Sequence, residues 1–241
     1  MNPGPHFSRW LAVAAFAIAM AWMESAVVLY LRTLLNRMDP YQTNPLPEVG
    51  GLAMAELIRE AATLIMLVLV GWLAGRTWRS RLGYFLLAFG LWDIFYYVFL
   101  VPLTGWPNSI LDWDILFLIP LPWWGPVLAP MLIALLMIIG GSLLALWDDS
   151  SKPLWPTRWA VAANLVGAVL ALFVFMADAI QAVRDGSPSL RELLPIHFNW
   201  ALFVPALALM AAPVIELFLL VWRRRQPFPD PMIASSTLTN P

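Results

Sequence analysis

Residues 82–103 read LGYFLLAFGLWDIFYYVFLVPL and contain a single charged residue, Asp93. A run this long and this apolar is sufficient for an α-helix to cross about 30 Å of hydrocarbon. The rest of the chain has the same character, since 61% of its 241 residues are hydrophobic and only 12% are charged. That composition excludes an ordinary soluble domain and indicates an integral membrane protein.

Hydropathy predicts six membrane-spanning helices, at residues 10–31, 52–74, 82–103, 126–147, 159–177 and 198–222. A spanning segment must satisfy its own backbone hydrogen bonds, and no ten-residue alternation typical of a membrane barrel strand is present. We therefore expect an all-α polytopic bundle. Residues 1–225 form its single transmembrane domain, and residues 226–241, rich in Pro and Ser, form a disordered cytoplasmic tail.

The Lys and Arg residues divide unequally between the two sides of such a bundle. Nine lie on the side that carries both termini, and five lie on the other: Arg32, Arg37, Arg59, Arg184 and Arg191. Basic residues are enriched in the cytoplasmic segments of membrane proteins. The distribution predicts a multi-pass protein of the cell membrane with both termini in the cytoplasm.

Residues 108–119, which lie between two prolines, predict a short helix that connects the third and fourth spans. Asn108 or Ser109 would cap it, and Asp112 and Asp114 would lie in its first turns, at the positive end of the helix dipole. A dozen residues are too few to span a bilayer, so this helix would be interfacial or re-entrant. Two interpretations remain open: a surface helix anchored by tryptophans, or a lid over a site.

Three acidic residues, Glu24, Glu60 and Asp93, lie inside three separate predicted spans. Charge in hydrocarbon is costly, and ionisable residues there mark functional sites. At 1.5 Å per residue all three fall in the outer half of the bilayer, roughly 11 to 15 Å from the outer helix ends. Helical spacing places four further polar residues near these acids, and a histidine lies at the outer start of the last span. These residues are Arg32, Arg59, Tyr96, Tyr97 and His197.

Two chemical roles and one structural role are compatible with these three acidic residues. Carboxylates held together in low dielectric bind and release protons, or, when ionised, ligate a divalent cation that His197 would help to hold together with Glu24, Glu60 and Asp93. Alternatively, an ion pair between Arg59 and Glu60 would neutralise both residues and tie helices together. The role of Glu216, in the inner half of the last span, stays open.

Cofactors are constrained by the absence of cysteine and by the presence of only two histidines. These counts exclude an iron–sulfur cluster and a c-type haem, and the single lysine, Lys152, lies in a loop, which excludes a retinal Schiff base. Three functions remain. The protein binds or conducts protons or cations, serves as a non-catalytic subunit or assembly factor of a larger membrane complex, or is an intramembrane metal-dependent enzyme.

The sequence also predicts which molecules the protein contacts. We expect contact with the lipid bilayer and none with nucleic acid. Partners from a membrane complex would dock on the Trp-rich outer loops.

Overall fold

The computed structural model describes residues 5–36, 38–41, 51–117, 121–185 and 197–225, which include six long helices. All six are long and apolar enough to cross a membrane, which confirms the polytopic all-α bundle. The predicted tail at 226–241, together with Arg37 and Arg191, lies outside the described residues. The helices are α1 (Pro5–Leu34), α2 (Leu52–Ala74), α3 (Trp78–Thr104), α4 (Leu128–Trp147), α5 (Arg158–Arg184) and α6 (Trp200–Arg225).

Small residues allow the central helices to pack closely. α3 contacts α1, α2 and α4, while α5 packs along α6, and α4 joins the two groups. A Cβ atom added to Gly90 of α3 would lie 2.5 Å from the carbonyl oxygen of Ala134 on α4, and one added to Gly167 of α5 would lie 2.5 Å from that of Ala206 on α6. Glycine at these positions therefore sets the helix separation, as is common in membrane bundles.

The described residues between α3 and α4 form a turn and two paired strands, which we call the hairpin, so the prediction of a short helix at residues 108–119 is wrong for 108–117; residues 118 and 119 lie outside the described residues. Strand β1 (Trp113–Phe117) pairs antiparallel with strand β2 (Trp123–Pro126), with Asp114 opposite Gly125. Asp112 ends the preceding turn, because its carboxylate accepts the backbone N–H groups of Asn108 and Ser109 at 2.7 and 3.1 Å.

Side-chain type explains why strands replace the predicted helix. The carboxylate of Asp112 binds N–H groups upstream of itself, so it closes a turn instead of stabilising a helix start. The following residues are aromatic or β-branched at Trp113, Ile115 and Phe117, which favours paired strands. The hairpin is closed at its base by Val127 N–H, which donates to Asp112 O at 3.0 Å.

The hairpin reaches deep into the bundle. The Phe117 ring lies 6.3 Å from that of Phe89 on α3, and Trp123 stacks at 6.3 Å on Phe175 of α5. Phe89 lies roughly 22 Å before the end of α3, about halfway along a helix of about 40 Å. The hairpin is therefore re-entrant and fills the space between α3 and α5. We call the end of the bundle that carries it the hairpin side, and the opposite end the loop side.

Candidate functional site

Glu24, which is buried on α1, forms an ion pair with the half-buried Arg59 on α2. Thr63, one turn further along α2, donates its hydroxyl to the second carboxylate oxygen of Glu24 at 2.6 Å. Arg59 also pairs with Glu56, with a distance of 2.9 Å between Nη2 and Oε2. The predicted site residues Glu24 and Arg59 are thus brought together, as partners across two helices.

Glu60 lies beside this pair on α2 and is 8% exposed. It is one helical turn after Glu56, and its charge interacts with the charges of both Glu56 and Arg59. The Arg59 guanidinium is therefore the shared positive neighbour of three carboxylates, those of Glu24, Glu56 and Glu60. The sequence suggested an ion pair between Arg59 and Glu60; their charges do interact, and Arg59 also forms ion pairs with Glu24 and Glu56.

A second charged group surrounds Asp114, which β1 carries into the bundle. Asp114 is buried and accepts a hydrogen bond from the Tyr97 hydroxyl at 3.2 Å. The guanidinium of Arg32 lies 3.8 Å from the other carboxylate oxygen. Arg32 is itself held in place, because it lies 4.3 Å over the Trp106 ring and donates to the carbonyl oxygen of Met38 at 3.0 Å.

Burial raises the pKa of Asp114 to about 6, because removal from water disfavours the charged form. The charge of Arg32 and hydrogen bonds from the Tyr97 hydroxyl and the Ile115 N–H offset part of this increase, whereas the charge of Asp39 adds to it. Asp114 thus changes protonation near neutral pH.

Asp114 was absent from the site residues inferred from the sequence, which placed it in the first turn of a helix. A signal for it does exist: it is a single acid between Trp113 and Ile115 in a strongly apolar run. What the sequence does not show is that this run folds back into the bundle beside Tyr97. The contact depends on tertiary structure.

Asp93 lies one turn before Tyr97 on α3, and its charge interacts with that of Asp114. Tyr96 lies close to Asp93 and Asp114 and also to Arg32 and Arg59, so its side chain lies between the two charged groups. The hydroxyl of Ser25 on α1 donates to the Tyr96 carbonyl oxygen at 3.0 Å and fixes α1 against α3 at this level. The predicted residues Asp93, Tyr96 and Tyr97 therefore belong to one neighbourhood.

His197 is exposed and lines a different cleft, together with Leu111, Trp113 and Trp200. In the described ranges, no three His, Asp or Glu side chains are placed to hold a metal ion. The tryptophans proposed as a docking surface also pack inward, since Trp106 and Trp124 are buried.

Negative charge exceeds positive charge in this region. Among the described residues, the two groups contain five carboxylates and two guanidiniums. The carboxylates are Glu24, Glu56, Glu60, Asp93 and Asp114, and the guanidiniums are those of Arg32 and Arg59. If every group were ionised, the site would carry three surplus negative charges within a bilayer, where charge is costly.

The loop side contains a contrasting cluster around Asp148, at the end of α4. Its buried carboxylate accepts hydrogen bonds from Arg79 at 2.8 Å, from the Leu154 N–H at 3.0 Å and from the Thr77 hydroxyl. Burial acts to raise the pKa of Asp148, but these hydrogen bonds and the charge of Arg79 outweigh it and hold that pKa below its ordinary value. The cluster ties the start of α3 to the end of α4.

Glu216 of α6 also has a structural role on the loop side. Its carboxylate accepts hydrogen bonds from the backbone N–H and the hydroxyl of Thr157, both at 3.0 Å, immediately before α5 begins. The first N–H groups of a helix lack partners, and its dipole favours negative charge at that end. Glu216 therefore caps α5 from α6.

No known protein family, curated protein or solved structure matches this chain. The candidate site is defined by its own geometry and charge.

Proposed function

We propose that this polytopic membrane protein binds or conducts protons or cations through the carboxylate-rich site on the hairpin side. The surplus of carboxylates over guanidiniums among the described residues carries the proposal. Uncompensated negative charge is strongly disfavoured in a low-dielectric interior, so a proton or a bound cation must balance it. Such a site changes its occupancy when the ion concentration changes.

Protons are the ion that the geometry favours. Glu24 and Asp114 already accept hydrogen bonds and pair with arginines, so their oxygens are less available as ligands of a metal. Glu60 shares one arginine with two other acids, and Asp93 has the charge of Asp114 as a neighbour. We propose Glu60 and Asp93 as the exchanging groups. A divalent cation at Glu24, Glu60, Asp93 and His197 is the less supported form of the proposal, because His197 lines a different cleft and no three such side chains in the described ranges are placed to hold a metal ion.

The re-entrant hairpin supports access from one side of the membrane. Non-helical backbone at membrane depth occurs where it is buried in protein or lines a water-filled cavity, as in channels and transporters. β1 brings Asp114 to the charged groups from the hairpin side. The distribution of arginines supports placing that side outside the cell and both termini in the cytoplasm.

Proton flux into liposomes that contain the purified protein and a trapped pH-sensitive dye tests the proposal. A pH gradient is applied while valinomycin and potassium clamp the membrane potential. We expect the wild-type protein to conduct protons and Glu60→Gln to reduce the rate at least tenfold. Asp178→Asn, which removes another carboxylate within a span, is the matched control and should retain the wild-type rate.

Binding without conduction is tested on the same proteins in detergent. The thermal stability of the wild-type protein should change with pH or with added cations, and Glu60→Gln should weaken that response while leaving the protein folded. If wild-type liposomes match empty ones and no pH or cation alters stability, the proposal is wrong.

A further inference from the structure

A chamber of about 220 Å³ lies at mid-depth in the bundle, between the hairpin and helices α3, α4 and α5. Leu116, Phe117 and Trp123 of the hairpin form one wall, and Ala168 and Phe175 of α5 contribute to another. Of the lining residues that belong to the described ranges, all are apolar or aromatic except Asp93. An apolar pocket with one placed charge has the composition of a small-molecule site.

We infer that this chamber binds a small organic ammonium ion with an apolar body, and that Asp93 is its counter-ion. A carboxylate in an apolar chamber is stabilised by a positive partner, and an amine supplies that charge while its hydrocarbon part fills the remaining space. Four aromatic rings line the same chamber, and ring faces attract ammonium groups. These rings belong to Phe89, Phe117, Trp123 and Phe175.

The volume limits the size of the ligand. At ~30 Å³ for each water-sized heavy atom, the chamber accommodates about seven or eight of them. Benzylamine, which is protonated at neutral pH, has this size and offers both an ammonium group and a ring. Ethylbenzene has nearly the same shape without the charge, so the two form a matched pair of probes.

The inference rests on the proposed function only through Asp93, which takes part in both. Glu60, the other proposed exchanging group, does not line the chamber. Glu60→Gln should therefore lose proton exchange yet still bind benzylamine. Proton flux without amine binding would overturn this inference alone, and amine binding without any proton or cation response would overturn the proposed function alone.

Calorimetric titration of the purified full chain in detergent at pH 7, with detergent alone as blank, tests the inference. We expect saturable binding of benzylamine at least tenfold tighter than that of ethylbenzene. Asp93→Asn should remove this preference, and Asp178→Asn should keep it. Ala168→Phe, which fills the chamber without changing charge, should abolish binding of both probes and covers the case in which Asp93→Asn does not fold.

Two results would overturn the inference. Equal affinity of the wild-type protein for both probes would make the chamber a site for neutral apolar molecules such as lipid chains. Benzylamine binding that survives Ala168→Phe would place the amine elsewhere on the protein.

Discussion

Two buried aspartates at opposite ends of the bundle, Asp148 and Asp114, are both paired with arginines and yet differ in their charge state. Asp148 accepts hydrogen bonds from three residues, including Arg79 at 2.8 Å, and its pKa lies below the ordinary value. Asp114 has Arg32 at 3.8 Å and the Tyr97 hydroxyl at 3.2 Å, and burial raises its pKa to about 6. An arginine neighbour alone therefore does not keep a buried carboxylate ionised.

The difference separates a structural tie from a responsive site. On the loop side, each donor aimed at Asp148 joins two segments of chain and fixes its negative charge. On the hairpin side, three carboxylates share Arg59, Asp114 lies near Arg32, and Asp93 has the charge of Asp114 as a neighbour. The second arrangement can gain or lose a proton near neutral pH, whereas the first cannot.

Replacing the shared arginine should have the largest effect. Arg59→Met leaves three carboxylates within the bundle without this guanidinium, and breaking a buried pair costs about 3–5 kcal/mol of unfolding free energy. Arg79→Met, beside Asp148, should cost about 1–3 kcal/mol, since the Thr77 and Leu154 donors remain. Denaturant unfolding in detergent measures both.

A compensating variant makes the first prediction specific. Arg59→Met combined with Glu24→Gln should recover part of the lost stability, because the second change removes one of the stranded charges. Equal losses for Arg59→Met and Arg79→Met, with no recovery in the double variant, would remove the distinction between the two ends.

The identity of the partners of Arg59 shows how far the sequence can be interpreted. The spans are predictable because their apolar runs are long, and the depth of Glu24, Glu60 and Asp93 follows from helical rise. Which side chains face one another is harder to predict. Arg59 and Glu60 are sequence neighbours and therefore point about 100° apart on a helix. Arg59 pairs with Glu56 on its own helix and also with Glu24, 35 residues away, and only the packing of α1 on α2 determines the second pair.

The hairpin could not be predicted from the sequence, for a related reason. The turn at Asn108 to Asp112 has the same capping residues as a helix start, and the direction of their hydrogen bonds distinguishes the two. The depth of β1 depends on packing of Phe117 against Phe89 and of Trp123 against Phe175. Asp114 enters the site only through these tertiary contacts.

The two aspartates should also respond oppositely to pH. The pKa of Asp114 in the folded protein, about 6, exceeds its value of about 3.9 in an unfolded chain, so the folded state binds more protons between these values. Its contribution to stability is present below about pH 4 and is lost as pH rises through about 6, by at most about 3 kcal/mol. For Asp148 the sign is reversed, and stability is lost as pH falls below about 4.

Thermal unfolding of the wild-type protein and Asp114→Asn from pH 4 to pH 7.5 measures the contribution of Asp114, and extending the series below pH 4 with Asp148→Asn measures that of Asp148. The wild-type protein should lose stability relative to Asp114→Asn as pH rises through this range. A constant difference between them would show that Asp114 does not change protonation there.

Neutralising each aspartate at pH 7 compares them directly. Asp148→Asn should cost about 2 kcal/mol, because an amide cannot accept from Arg79, Thr77 and Leu154 as the carboxylate does. Asp114→Asn should cost less than about 1 kcal/mol, since it relieves a buried charge while weakening the Arg32 contact. The ranking of the two unfolding midpoints at constant pH is the measurement, and the reverse order would contradict the comparison.

Tyr97→Phe should also have a small effect and tests why Asp114 differs from Asp148. The Tyr97 hydroxyl lowers the pKa of Asp114 by donating a hydrogen bond to its charged form, so removing it should raise that pKa further. The loss of stability at pH 7 should be about 1 kcal/mol. The more informative change is that the upper end of the pH window, about 6 in the wild-type protein, moves upward in thermal unfolding curves. If the window stays in place, burial and Arg32 alone set the protonation of Asp114, and the number of donors does not explain the contrast with Asp148.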